Sequence, residues 1–443
     1  MTENAISREL SFPELFRFAL PSIVMMVFMS LYTIVDGLFV SRFVGSDALS
    51  AVNIAWPLIS LINAIGIMFA SGGSAIVARQ MGEGQEKEAN RSFSLIALAN
   101  VLLGTTLAAL CLLFLEPLMG FLGAEGILRP LVADYLNLLL LFAPMSLFQM
   151  LFQNFFVTAG RPKLGLTLTI LGGLANMVLD YVFIAVLNFG IRGAALATAM
   201  SYCIPAVGGL IFFFLLNRKG LHFTKPSRQL KLIWESCLNG SSEMVSNLSG
   251  SVTTLLFNLV MLDLAGSDGV AAITAVLYCQ FLMNALFLGF SIGVSPVVSY
   301  HFGADNQNFL RKTLRSCILF TVISSALIFG IGLLGAGPIV GLFFNGGAVE
   351  ELAVHGFRLF SIGFLFAGIN IFGSGFFTAL GNGKTSAAIS FSRTFLFTVL
   401  GIIFLSRFWG MDGLWLAIPL AELLTAIFVC WLARILRSEY GLL

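Results

Sequence analysis

The chain has 443 residues, of which 58% are hydrophobic and only 10% charged, with a mean hydropathy of +0.96. No water-soluble domain hides that much apolar surface, so a soluble fold is excluded and no nucleic-acid partner is expected. The formal net charge of +2 says little, because the placement of the basic residues carries the information.

Met1 to Pro13 is polar and lacks a cleavage pattern, so no removed signal peptide is expected. Beyond it, apolar runs recur that are long enough to cross a hydrocarbon core of roughly 30 Å at roughly 1.5 Å per residue. Twelve are predicted, at about 14–40, 48–78, 92–115, 131–158, 164–187, 193–216, 231–262, 270–300, 314–343, 352–379, 385–406 and 413–436. Backbone polar groups in lipid must be satisfied within the segment, and the runs are too long and too uniformly apolar for barrel strands. The expected fold is therefore an all-α integral membrane protein with twelve transmembrane helices.

Sliding the chain along itself by 221 positions aligns its halves. Gly45-Ser46-Asp47-Ala48 falls on Gly266-Ser267-Asp268-Gly269, and the register holds through Phe69/Phe290, Gly72/Gly293, Ser74/Ser295, Val77/Val298 and Gly82/Gly303. The same offset carries Phe155-Phe156 onto Phe376-Phe377, Gly160 onto Gly381 and Lys163 onto Lys384. Two pseudo-symmetric six-helix bundles follow, with residues 1–216 as the N-terminal lobe and 231–443 as the C-terminal lobe. A basic cytoplasmic linker at 217–230 joins them. An even number of spans per repeat relates the lobes by an axis along the membrane normal, so they should face each other across a central cleft, as in many secondary transporters.

Orientation follows from the arginines and lysines. With the N-terminus inside, the cytoplasmic side collects Arg8, Arg17, Arg79, Lys87, Arg91, Arg161, Lys163, Arg218, Lys219, Lys225, Arg228, Lys231, Arg311, Lys312, Arg315, Lys384, Arg393, Arg434 and Arg437, leaving Arg42, Arg129, Arg192, Arg358 and Arg407 outside. Nineteen against five places both termini in the cytoplasm of a multi-pass cytoplasmic (inner) membrane protein.

The cysteines, Cys111, Cys203, Cys237, Cys279, Cys317 and Cys430, lie in or beside apolar segments without paired spacing and read as packing residues. His222, His301 and His355 sit in loops or at helix ends, and no HExxH or Cys/His cluster exists, so metal catalysis has no ligands to use.

Ionisable residues inside the bilayer carry the chemistry, since each costs about 2.5–3.5 kcal/mol by insertion scales unless compensated. Four stand out: Asp36 in span 1, Asp180 in span 5, Glu243 in span 7 and Glu422 in span 12. Asp36 and Asp180 lie at one level in the outer half. Asn176 shares a helix face with Asp180 and Tyr32 with Asp36, and Thr198 of span 6 reaches the same depth from the other direction. Two carboxylates in a poorly hydrated site cannot both stay ionised cheaply, so a proton or small cation is the natural guest. A sodium ion would take Asp36, Asp180, Asn176 and Thr198 as its ligands. The plainer reading makes them separate structural acids. Pro21, fifteen residues before Asp36, deletes a backbone hydrogen bond and serves either as a hinge or as a static kink.

Over nearly its full length the chain resembles the MATE (multidrug and toxic compound extrusion) transporters: two six-helix bundles, the span-1 segment LYTIVDGLFVSRFVG, the following GSDALSA, and the turns GRPK and GNGK after spans 4 and 10. The polar network of the family's DinF-like and archaeal members is similar to Pro21, Tyr32, Asp36, Asn176, Asp180 and Thr198 here. The resemblance implies a multidrug efflux antiporter that exports organic, often cationic, compounds in exchange for protons or sodium, with antibiotic resistance as the outcome. It implies no bound cofactor. The expected partners are small-molecule organic substrates and the lipid bilayer, and a monomer is expected.

In the other lobe Glu243 is similar to the first acid of NorM-like members, but span 10 offers Asn370 and no second carboxylate. Glu243, with Asn284 and Asn370 expected within reach, holds a cationic substrate or a second proton, or is a structural acid pinned by those amides. Glu422 reads as a packing or interface acid. The 44 phenylalanines and 15 methionines suit a soft cleft wall, although most must face lipid or fill helix contacts. The expected mechanism is alternating access, with the outer site of the first lobe loading an ion as drug leaves outward. Two other readings stand beside it. A lipid-linked saccharide flippase of the wider superfamily would favour basic residues within the cleft. An intramembrane enzyme would need a nucleophile with its base or a metal set, and neither is found.

Overall fold

The computed structural model describes residues 5–344, 346–436 and 440, so Arg437 of the orientation count lies outside it. Among the described residues every regular element is helical. Eight stretches are long and apolar enough to cross a membrane and two bent pairs add two more. The stretches 231–303 and 383–435 are each two helices joined at a non-helical glycine, Gly266 and Gly410, which completes twelve. They are α1 (Phe12–Phe39), α2 (Ser46–Gly82), α3 (Glu86–Leu113), α4 (Leu128–Leu141 and Ala143–Thr158), α5 (Pro162–Asp180), α6 (Gly190–Ile211), α7 (231–265), α8 (267–303), α9 (Gln307–Leu334), α10 (Ala348–Ser361 and Phe364–Ala379), α11 (383–409) and α12 (411–435).

Local chemistry sets several of these ends. Ser11 and Glu14 form a reciprocal capping box at the start of α1, and the Asn306 and Asn382 side chains accept the backbone N–H of Phe309 (3.2 Å) and Thr385 (3.1 Å) to open α9 and α11. Pro21 does not break α1, which runs unbroken through it.

The structure differs from the predicted spans in α4 and α10, which are broken rather than continuous, by 56° and 52°. The second segments are entered from Phe142 and Gly363, positions 221 residues apart, with Pro144 supplying the missing N–H in α4. The repeat is thus written in backbone geometry as well as sequence. Gly45 and Gly266 turn the chain between helix pairs with φ of 118° and 63°, a region in which a Cβ is strained. Gly160 and Gly381 do the same after α4 and α10.

Packing distinguishes the two ends of the bundle. At the end carrying Gly45 and Gly266, each lobe has its own core: one of residues 40–199, centred on Val132, Leu136 and Leu147, and one of residues 257–418, centred on Phe357, Phe360 and Trp415. At the linker end the cores are shared. Leu15, Ala19 and Ile23 of α1 pack among Phe290, Val294 and Phe372 of the second lobe, while Leu232, Ile233, Cys237 and Met244 of α7 pack on Phe93, Phe152 and Phe213 of the first.

The lobes therefore exchange the first halves of α1 and α7. The seam between them is pseudo-symmetric and made of glycine. A methyl group on Gly240 would run into the Met68 carbonyl, one on Gly82 into the Tyr300 carbonyl, and one on Gly303 into the Arg79 carbonyl. Positions 82/303 and 79/300 are repeat equivalents, so the two halves close on each other by the same contact used twice. The lobes share cores at the linker end and keep separate cores at the other.

Candidate functional site

In the first lobe, α1 and α5 bring Asp36 and Asp180 together as their depths predict. Asp180 is fully buried, Asp36 half-buried, and the two carboxyl groups are each other's electrostatic neighbours. Two ionised carboxylates can only accept hydrogen bonds, so neither acid can satisfy the other without a proton. No arginine or lysine forms an ion pair with either acid among the described residues.

The surroundings are short of partners too. Asp36 Oδ1, both oxygens of Asp180, both amide atoms of Asn176 and Thr198 Oγ1 are buried with no hydrogen bond to another polar group. Buried polar atoms are nearly always satisfied, so an orphaned group on this scale marks a guest or a reserved function. Asp36, Asp180, Asn176 and Thr198 supply hard oxygen donors, the set that suits a small monovalent cation or a shared proton. Backbone geometry supports the placement, for α5 widens into a π-helical turn, Tyr181–Val186, immediately after Asp180, and α1 into another, Val40–Val44, shortly after Asp36.

Three further side chains belong to this centre and escaped the sequence reading. The Gln149 amide approaches the Tyr32 phenol, and the buried Tyr135 and the Tyr202 phenol are close electrostatic neighbours of Asp36. Tyr202 follows Thr198 by one helical turn, a signal that was available. Tyr135 and Gln149 sit on the two segments of broken α4, and only the break brings both to one place. Beside them Asn63, Ser146 and Tyr202 line a pocket of about 10 Å³, room for a single water molecule.

The second lobe is built differently. Glu422 of α12 is buried and clamped by Arg393 of α11, with Nη2 and Nε of the guanidinium on its Oε1 at 2.6 and 2.9 Å and Nε also on Oε2 at 3.0 Å. Asn370 Nδ2 donates to the Glu422 carboxylate at 2.6 Å and to its carbonyl at 2.8 Å. Two expectations are corrected. Arg393 is not at the cytoplasmic edge: it stands ten residues, about 15 Å, inside α11 on the π-helical turn Ser392–Phe397, with its side chain 16% exposed. A charge that deep needs a partner, and Glu422 supplies it. Asn370 is likewise committed to Glu422 rather than to Glu243.

Glu243 lies on α7 with Arg393 as its electrostatic neighbour and forms no ion pair with it. Asn284 Oδ1 is buried on α8 without a hydrogen-bond partner, so it does not accept from a group on Glu243. Below this centre a hydroxyl ladder fills the lobe. Ser374 contacts Ser386 at 2.9 Å and Ser390 at 3.0 Å, Thr378 contacts Ser386 at 2.8 Å, and Ser242 contacts Thr378 at 3.2 Å.

Twin helical bundles repeated in sequence, exchanging helices at one end and each holding a polar centre at membrane depth, define a membrane transporter. The MatE family profile matches residues 21–182 and 244–403. The chain belongs to the MatE family. It is similar to the multidrug export protein MepA of Staphylococcus haemolyticus, 24% identical over 97% of this chain and 94% of that one, and to MepA of Staphylococcus aureus strain NCTC 8325, 22% identical with the same coverage. Its fold matches the crystal structure of a MATE protein in complex with MaL6 with a TM-score of 0.93 at 23% identity, covering all of both chains. It also matches an outward-facing MATE transporter with a TM-score of 0.91 at 23% identity, over 99% of both chains.

Proposed function

We propose that the protein is a secondary multidrug exporter that exchanges organic, often cationic, compounds for protons or sodium by alternating access, with the first lobe as its coupling lobe. The observation that carries this reading is the Asp36–Asp180 pair: two neighbouring acids without a basic ion-pair partner, three of their oxygens buried without a hydrogen bond. Relatives matched over nearly the whole chain bear the name multidrug export protein, which supports the substrate class. Asp36 and Asp180 hold the ion, Asn176 and Thr198 complete its oxygen shell, and Tyr32 with Gln149 positions the α1 side of the site. The arrangement fits the DinF-like pattern.

With Arg393 removed from the inner edge, the basic residues still divide eighteen to five, so the linker end faces the cytoplasm and the opposite end faces out. Ions then reach the pair from outside. Loading removes repulsion between the acids and biases the helices that carry them, by no more than the difference in ion affinity between the two states. Turning a 1:99 population into 99:1 takes about 5.5 kcal/mol, which one or two ions and a bound drug supply jointly. Pro21 sits between Ala19 and Ile23, the residues on which Gly293 and Gly289 of α8 close, so its missing hydrogen bond lies at the lobe seam where a bend would open the joint.

A saccharide flippase would require a free basic group for its pyrophosphate, and the arginine at membrane depth is already engaged by Glu422. The test is uptake and release of an ethidium-like dye by proteoliposomes under independently imposed pH and sodium gradients. Dye movement driven by either gradient is expected. A protein that moves dye under neither, while binding or moving a lipid-linked pyrophosphate, is not this exporter.

A further inference from the structure

The second lobe holds a buried ion pair where the first lobe holds two acids. Glu422 and Asn370 are buried and joined through Asn370 Nδ2 to the Glu422 carboxylate and carbonyl, and Asn370 Oδ1 has no hydrogen-bond partner although its residue is fully buried. Glu243 adds a second carboxylate from α7 as an electrostatic neighbour of Arg393. Two acids, an amide oxygen and a carbonyl make the same kind of donor set as the first lobe offers, and one suited to a hard monovalent cation. The difference is the guanidinium. Asn370 is the repeat equivalent of Gln149, which serves the first lobe's acid centre, whereas the repeat equivalent of Arg393 is Gly172, so the first lobe has nothing there to fill the gap.

We propose that the Arg393 guanidinium is a tethered counter-ion occupying a latent cation site formed by Glu422, Asn370 and Glu243, so that the second lobe stays neutralised throughout the cycle and the coupling ion loads in the first lobe alone. The wide helical turn Ser392–Phe397 brings the arginine in, with Thr398 Oγ1 donating to the Arg393 carbonyl at 2.7 Å to hold the turn. A guanidinium gripped on two edges by a carboxylate cannot leave as sodium or a proton can. Removing its charge leaves Glu422 and Glu243 without a counter-charge, which a free cation would supply.

The inference extends the proposed function but is tested apart from it, in a D36N/D180N background where the first lobe's acids are silent. The readout is the thermal midpoint of the purified full-length protein in sodium chloride against choline chloride. The parent is expected to show no difference. R393Q and R393A in that background should each gain a saturable rise of roughly 3 °C or more in sodium, and the rise should vanish when E422Q is added. R393K, which keeps a tethered charge, should behave as the parent.

Folded R393Q or R393A without a sodium response, or with one that survives E422Q, overturns the proposal. Failure of both variants to fold in sodium as well as in choline also counts against it, since a cation that fits should restore the missing charge. A parent that already responds to sodium through Glu422 would overturn it too. None of these outcomes depends on whether the first lobe couples transport.

Discussion

The two lobes are copies of one bundle, yet their polar centres have opposite bookkeeping. In the first, Asp36 and Asp180 are neighbours without a basic ion-pair partner, and three of their oxygens are buried without a hydrogen bond. In the second, Glu422 is held by Arg393 and Asn370 through five contacts of 3.0 Å or less, above a ladder of satisfied hydroxyls. Each unsatisfied buried group costs about 1–3 kcal/mol, so the first centre carries a larger standing cost than the second. Duplication supplied two equivalent scaffolds, and divergence at Gly172/Arg393 and Phe257/Asp36 left one with two acids and gave the other an ion pair.

The widest test of that contrast is Asp36→Asn. Dye efflux should fall to background while the protein still folds and inserts, because the substitution keeps volume but removes the exchangeable charge. Full transport by this variant would take Asp36 out of the coupling. Next in size is Glu422→Gln, which strands the Arg393 charge in the lobe and should destabilise by about 3–5 kcal/mol in thermal unfolding. The paired change R393M/E422M should be nearly neutral by the same measure, since a well-packed apolar pair replaces an ion pair at little cost. If the paired change were as damaging as the single one, the second centre would be more than a structural clamp.

Much of this was legible in the chain. Twelve helices, the offset of 221 and the approach of Asp36 to Asp180 follow from apolar run length and helical periodicity, which act locally. What escaped depended on tertiary geometry. Arg393 counts as an edge charge only if α11 begins near it; the helix starts ten residues earlier, and the partner that makes a buried guanidinium tolerable comes from α12. Asn370 was assigned to the wrong acid for the same reason: α10 breaks at Gly363 and re-aims its second segment toward α12. Tyr135 needed the matching break at Phe142 to reach the acid pair. The exchange of α1 and α7 between lobes has no sequence signal at all, because apolar stripes do not name the neighbour they will bury against.

The seam that joins the lobes sharpens the comparison from outside the polar centres. Gly240→Ala puts a methyl group into the Met68 carbonyl at the linker end, and overpacking of that kind costs about 1–3 kcal/mol of the closed arrangement. Spin labels at Lys87 and Asn308, exposed repeat equivalents on the first turns of α3 and α9, should then report a longer distance population than in the parent. An unchanged distance distribution would mean that the seam yields locally and does not govern the joint.

The smallest expected effect is the most discriminating. Tyr202→Phe removes one hydroxyl beside the acid pair and leaves the ring packed between α2, α4 and α6. If that phenol helps to hold the loaded ion or its water, transport should need a higher proton or sodium concentration for half-maximal rate, by up to about tenfold, with the maximal rate kept, which is the signature of about 0.5–1.5 kcal/mol lost from ion binding. The corresponding second-lobe change, Thr378→Val in the hydroxyl ladder, should move stability and leave ion dependence alone, because its hydroxyl serves Ser386 and Ser242 within a centre that exchanges nothing. Should both variants shift the ion dependence alike, the lobes would share the coupling, and the asymmetry between an open and a filled site would lie in their charges alone and not in their function.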